Sequence, residues 1–284
     1  MGKIAFLFAG QGSQYPGMTK DIFENVPEVH NYFGVAEAIR PGTLTQMFTG
    51  DAETLKRTEN AQPCLFLADM AGAIALLQNG VSPDAVAGFS LGEVAALAAS
   101  DVLSFQEAFK LVCQRGKYMQ KSAEAVEGGM VAVLRMDKAL LQKMCKEYEV
   151  YPVNYNCPGQ VVVSGEKEKI DAFKEKLGEQ KVRFIELPVG GPFHTPYMEC
   201  AAKELKHELK EGKAYKKWIG FALSWFIHGL YDFSLAEEFI AFNDNLVFVA
   251  FALALLEILL VINLIVFVRR TKKNRYTPQT SLKP

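Results

Sequence analysis

The sequence predicts an α/β fold: a large subdomain built on a parallel sheet, a small ferredoxin-like subdomain inserted in it, and a two-helix transmembrane hairpin after both. Three observations predict it. The apolar run Ala85 to Phe89 leads into Gly88-Phe89-Ser90-Leu91-Gly92, and Val94, Ala95, Leu97 and Ala98 then follow at helical spacing, which reads as strand, tight turn and helix. From Gly128 to Val189 the periodicities alternate as β-α-β-β-α-β, a split βαβ unit. At about Tyr215 the composition changes from a soluble mixture to two long apolar segments and a basic tail.

With 284 residues, 50% hydrophobic and 22% charged, the chain can bury a sizeable core. Its formal net charge of −1 supplies no overall field for nucleic acid or an anionic membrane, so no nucleic-acid partner is expected. The five cysteines (Cys64, Cys113, Cys145, Cys157, Cys200) are odd in number and contain no C-x-x-C pair, which argues against a disulfide framework or zinc ribbon and fits a reducing cytosol. Lys3 and the apolar Ile4 to Ala9 are too short for a leader and run into Gly10-Gln11-Gly12-Ser13-Gln14 without a small-residue cleavage site.

Taken in order, Ile4 to Phe8 is a continuous apolar run, as expected of a strand buried on both faces. Glycines in the loop behind it permit close backbone approach, and the absence of a following lysine excludes a P-loop. Thr58 to Gln62 reads as a cap and loop, with Pro63 opening an apolar helix through Leu77. Ser90 then sits on a turn whose flanking glycines remove Cβ clashes. The free N–H groups of the helix start, that of Leu91 first, would face an oxyanion formed beside it. A Gly/Ser loop after a strand is the plainer reading of the same letters. Ser104 and Glu107 form a capping box for a helix carrying Ala108, Leu111, Val112 and Arg115. In the inserted unit, Met130 to Leu134, Tyr151 to Asn156, Gln160 to Ser164 and Val182 to Val189 read as strands. Lys138 to Glu147 and Lys167 to Leu177 read as helices. Gly190-Gly191-Pro192-Phe193-His194-Thr195 returns the chain to the large subdomain, and an amphipathic helix from Tyr197 to Leu209 follows. The boundaries are residues 1–127 for the large subdomain, 128–189 for the small one, 190–212 for the return and 213–284 for the membrane segment.

Gly10 to Gln14, Gln62-Pro63, Gly88 to Glu93, Arg115-Gly116 and Gly191 to His194 occur in the order and approximate spacing of malonyl-CoA:acyl-carrier-protein transacylases. Over residues 1 to about 212 the chain resembles that family. The resemblance implies an acyltransferase fold and transfer of a malonyl group from malonyl-CoA to the thiol of acyl carrier protein through an ester on Ser90, with no metal or cofactor. It implies His194 as the base and Gln11 and Leu91 as the oxyanion hole. It also implies Arg115 as the holder of the malonyl carboxylate, Gln62 as a pocket residue, and Phe193 as a residue that disfavours an α-methyl branch. Phe89 stands where a histidine is common in the family. The family's final stretch, which closes the acyl pocket and supplies a carbonyl that orients the histidine, is expected to have no counterpart here, so activity would be impaired. A serine hydrolase of acyl thioesters and an inactive membrane-tethered remnant are the alternatives.

Trp218 to Leu235 is mostly apolar, and Leu246 to Val268 is interrupted only by Glu257 and Asn263, long enough to span a bilayer at about 1.5 Å per residue. Lys213, Lys216 and Lys217 precede the first segment and Arg269, Arg270, Lys272, Lys273 and Arg275 follow the second, which puts both flanks on the cytoplasmic side and tethers the catalytic part to the membrane through residues 218–268. Trp225 to Phe233 resembles the last motif of PrsW-type intramembrane proteases, with His228 and Asp232 four apart on one helical face. The join near Gly212 reads either as a fusion of two truncated genes or as a tethered enzyme.

Overall fold

The computed structural model describes residues 2–211. The membrane hairpin, with His228, Asp232 and the basic tail, lies outside the described residues. Strand β1 (Ala5–Phe8) leads through helices α1 (Lys20–Asn25), α2 (Val29–Ile39), α3 (Thr43–Thr49), α4 (Ala52–Lys56) and α5 (Thr58–Gln78) to β2 (Ala85–Gly88). Helices α6 (Gly92–Ala99) and α7 (Phe105–Ala125) follow. The chain then runs through β3 (Gly128–Leu134), α8 (Lys138–Glu147), β4 (Tyr151–Cys157), β5 (Gln160–Glu166), α9 (Lys167–Glu179) and β6 (Arg183–Glu186). A 3₁₀ turn, Pro196–Met198, precedes α10 (Glu199–Glu211).

Strands β1 and β2 pair in parallel, Ala5 opposite Ala85 through Phe8 opposite Gly88. The strand expected to be buried on both faces is buried on one. Phe6 and Phe8 face inward, while Leu7 is 79% exposed and Ile4 and Phe89 are also exposed. β2 is likewise only half-covered. Among the described residues this sheet has two strands and no layer on its outer face, so an apolar run that could be buried twice is buried once.

Helix α5 starts earlier than expected, at Thr58, which leaves Pro63 inside it. A proline there removes one backbone hydrogen bond. Tertiary packing offsets the loss: Thr58, Gln62, Pro63 and Cys64 are all buried, and the Thr58 N–H donates to Gln120 Oε1 at 2.9 Å. Gly116 on α7 lies so close that a Cβ would come within 3.0 Å of the Thr58 carbonyl. Helices α5 and α7 form the core of this half, with Phe66, Phe105 and Phe109 in mutual ring contact. The Ser104–Glu107 capping box forms as expected.

The second sheet is antiparallel in the order β4-β5-β3-β6 and has the expected β-α-β-β-α-β connection. Its last strand is shorter than expected, because only Arg183 to Glu186 pair with β3. Alternation along β3 divides two cores. Val131 and Val133 pack with Leu141, Phe173 and Leu177 under α8 and α9. Met130 and Ala132 pack on the other face with Met119 and Ala123 of α7, and with Phe193, Met198 and Ala201. That second cluster ties the chain after β6 to α7.

Candidate active site

Ser90 stands on the turn between β2 and α6 with φ 53°, the left-handed region that L-residues other than Asn and Asp seldom occupy. The turn is held by glycines that have no room for a side chain. A Cβ on Gly88 would lie 2.0 Å from the Gly92 carbonyl carbon, and one on Gly92 would lie 2.3 Å from the Phe8 oxygen. A Cβ on Gly10 would meet the Phe89 ring at 2.6 Å. The elbow and the loop after β1 are thus pressed together at Gly10 and Ala9, the two residues before Gln11. Leu91 is fully buried, and among the described residues neither the Leu91 nor the Gln11 N–H has a hydrogen-bond acceptor.

The loop carrying His194 is packed as closely. A Cβ on Gly191 would fall 2.5 Å from that of Ala123, and one on Gly128 would fall 2.5 Å from the Pro192 ring. Thr195 closes the turn by donating to the Pro192 carbonyl. His194 itself has φ 62°. Its Nε2 lies 3.2 Å from Ser90 Oγ, while Arg115 Nη2 donates to the same oxygen at 3.1 Å. Ser90 Oγ therefore accepts from the guanidinium and has its own proton free to donate to the imidazole.

Electrostatics favours that assignment. Desolvation, then the Arg115 charge, pull the His194 pKa down from 6.5 to about 4. The ring keeps an exposed edge, and water there moderates the desolvation, but the imidazole is neutral at pH 7 and can take a proton. Burial lowers Arg115 to about 10, partly opposed by Glu93, so the guanidinium remains charged.

The structure brings Ser90, His194 and Arg115 together, with Leu91 next to Ser90 in the chain, while the contact recorded for Gln11 is with Thr58 on α5. Gln62 is fully buried on α5, its Nε2 3.2 Å from Met119 Sδ and its Oε1 without a partner among the described residues. Phe193 is buried and packs into the cluster under α7, one residue from the imidazole. Sequence reasoning missed the supports of the Gln11 loop: Thr58 Oγ1, which accepts from Gln11 Nε2 at 2.9 Å, and Asp69, which accepts the Ala9 N–H. Asp69 had a readable signal, a carboxylate inside the apolar run of α5. No group of residues able to hold a metal occurs among the described residues.

A serine on a strand–helix elbow, with a neutral imidazole on its oxygen and unpaired N–H groups beside it, defines the class of α/β enzymes that form acyl-serine esters. Within that class the chain belongs to the acyl transferase domain family, whose model matches residues 5–263. It is 42% identical over 216 residues to the malonyl CoA-acyl carrier protein transacylase of Bacillus subtilis (strain 168), covering 74% of this chain and 68% of that one. Its counterpart from Staphylococcus aureus (strain MSSA476) is 38% identical over 220 residues, with 74% and 70% covered. The fold matches the crystal structure of malonyl CoA-acyl carrier protein transacylase from Clostridium perfringens with a TM-score of 0.68 at 38% identity, covering 74% of this chain and 68% of that one. It also matches a malonyl-transacylase in complex with its type II PKS acyl-carrier protein, with a TM-score of 0.69 at 34% identity and 74% and 70% covered.

Proposed function

We propose that the chain transfers a malonyl group from malonyl-CoA to the thiol of an acyl carrier protein, for fatty acid or polyketide synthesis. The observation that carries this reading is the double contact on Ser90 Oγ, a neutral base at 3.2 Å and a cation at 3.1 Å. In the first step His194 Nε2 takes the Ser90 proton as Oγ attacks the thioester carbonyl carbon, and the negative charge passes to the carbonyl oxygen, held by the Gln11 and Leu91 N–H groups. The C–S bond then breaks, and CoA leaves as a thiol with the proton from His194. In the second step the carrier thiol gives its proton to His194, its sulfur attacks the Ser90 ester, and Oγ leaves and is reprotonated. Arg115 turns from Oγ to the malonyl carboxylate, for which a planar guanidinium offers two parallel donors. That carboxylate sits one methylene from the reacting carbonyl, within reach of a cation already on the nucleophile. Phe193 and Gln62 back the acyl pocket. Residues 1–127 and 190–212 form the larger subdomain and 128–189 the smaller.

The reading extends to residues 213–284 as a membrane hairpin with a basic cytoplasmic tail, joined near Gly212 and supported by the length of Leu246 to Val268 and the basic residues at both flanks. Alkaline carbonate extraction of cells making the chain should leave it in the membrane pellet, and its release would remove the tether.

The function is tested by mixing the chain with malonyl-CoA and holo-acyl carrier protein and weighing the carrier. A carrier heavier by one malonyl group is expected. Release of CoA with an unmodified carrier would make the protein a thioester hydrolase instead.

A further inference from the structure

Asp69 takes no part in the chemistry above, yet its carboxyl lies inside α5, where charge is costly. Oδ1 accepts the Ala9 N–H at 3.1 Å, and Oδ2 has no partner among the described residues. Leaving a buried acceptor unsatisfied costs about 1 to 3 kcal/mol. Ala9 follows β1 directly and precedes Gln11 by two residues. The same loop has a second tether to the same helix, Gln11 Nε2 to Thr58 Oγ1 at 2.9 Å. The two anchors, Asp69 and Thr58, are separated by about 16 Å of helix at 1.5 Å per residue, so the loop is stretched along α5 and fixed at both ends. On its other side it is wedged against the elbow, Gly10 on Phe89 and Gly92 on the Phe8 and Ala9 carbonyls. With the wedge fixed, the remaining freedom is rotation of the peptide units from Ala9 to Gln11. The Ala9 N–H bond fixes the unit from which they start, Phe8–Ala9, whose carbonyl accepts the Phe89 N–H at 3.1 Å on the other side.

We infer that Asp69 is a positioning residue for acyl transfer: by holding the Ala9 N–H it sets the direction of the Gln11 N–H toward the developing oxyanion. The inference rests on the roles proposed for Ser90 and Gln11. Burial pushes the Asp69 carboxyl up to about 7, and a carboxylate or a protonated carboxyl can each accept the Ala9 proton through an oxygen. An amide oxygen can do the same. Acceptor capacity, not charge, is what the position requires.

Malonyl transfer is measured with the full chain and with Asp69→Ala and Asp69→Asn. Losing an oxyanion donor outright costs about 100- to 1000-fold in kcat, so a misdirected donor should cost about 10- to 100-fold. Asp69→Ala should show that loss in kcat with KM changed less than about threefold, since Arg115 still holds the substrate. Asp69→Asn should recover kcat to within about threefold of the parent. Equal kcat in the parent and Asp69→Ala, or an Asp69→Asn variant as slow as Asp69→Ala, overturns the inference. Hydrogen exchange on the unsubstituted chain tests the tether even if Asp69→Ala does not fold. The Ala9 amide should be protected far beyond that of Gln11, whose N–H has no acceptor among the described residues, and exchange as fast as Gln11 overturns the tether while leaving Ser90 chemistry intact. If the parent forms no malonyl-Ser90 ester, the proposed site fails and the inference fails with it.

Discussion

At Ser90 Oγ, a cation and a base compete for one oxygen, and the outcome depends on which keeps its ordinary charge. Arg115 remains protonated, and His194 is held neutral to about pH 4. The acid limb of kcat/KM should therefore lie near pH 4 and not near 6.5, read from a pH profile of CoA release; a limb at 6.5 would mean the imidazole is ordinarily solvated. Because the folded state binds fewer protons at His194 between about 4 and 6.5 than the unfolded chain does, that residue's contribution to stability is lost as pH falls through the window. Asp69 has the opposite sign. Its folded pKa of about 7 against 3.8 means the folded state binds more protons, so stability declines as pH rises toward 7. Urea midpoints should thus favour Asp69→Asn over the parent at pH 8, with the gap closing at pH 4. For Arg115, removing a charge-assisted bond should cost about 1.5 to 3 kcal/mol. Arg115→Ala should weaken reaction with malonyl-CoA roughly 10- to 150-fold and with acetyl-CoA far less, and equal losses on both would refute a carboxylate clamp.

At the scale of elements, the site depends on close backbone approach. Gly92→Ala puts a Cβ 2.3 Å from the Phe8 oxygen and should cost about 1 to 3 kcal/mol, together with Ser90 reactivity. Gly34→Ala in α2 meets nothing within 4 Å and should be neutral or stabilising by up to about 1 kcal/mol, as thermal melting would show. The elbow was legible because strand, G-x-S-x-G and helix lie next to one another in the chain. The β-α-β-β-α-β unit was legible because each of its elements carries its own period. The start of α5 was not, since Pro63 reads as a helix opening until the buried contacts of Thr58 and Gln62 with α7 are seen. The Asp69–Ala9 and Thr58–Gln11 bonds join residues 60 and 47 positions apart, and local pattern does not carry such pairings. Nor does hydropathy reveal which face of Ile4 to Phe8 has a neighbour.

For the whole molecule, that bare face is the main departure from expectation. Leu7 is 79% exposed on the outer side of the two-stranded sheet, while Phe6 beside it is buried. Leu7→Ser should lower the unfolding free energy, read from urea titration, by no more than about 0.5 kcal/mol, and Phe6→Ser by several kcal/mol. A comparable loss at Leu7 would mean the face is covered in solution. The half of the molecule that bears Ser90 and Arg115 and the loop that bears His194 meet through the cluster of Met119, Ala123, Met130 and Phe193, so this packing sets the distance across the site. The most direct measurement is the intact mass of the chain after incubation with malonyl-CoA alone. One malonyl group should be added, removable by base and absent in Ser90→Ala; an adduct that survives Ser90→Ala, or none in the parent, would contradict the account.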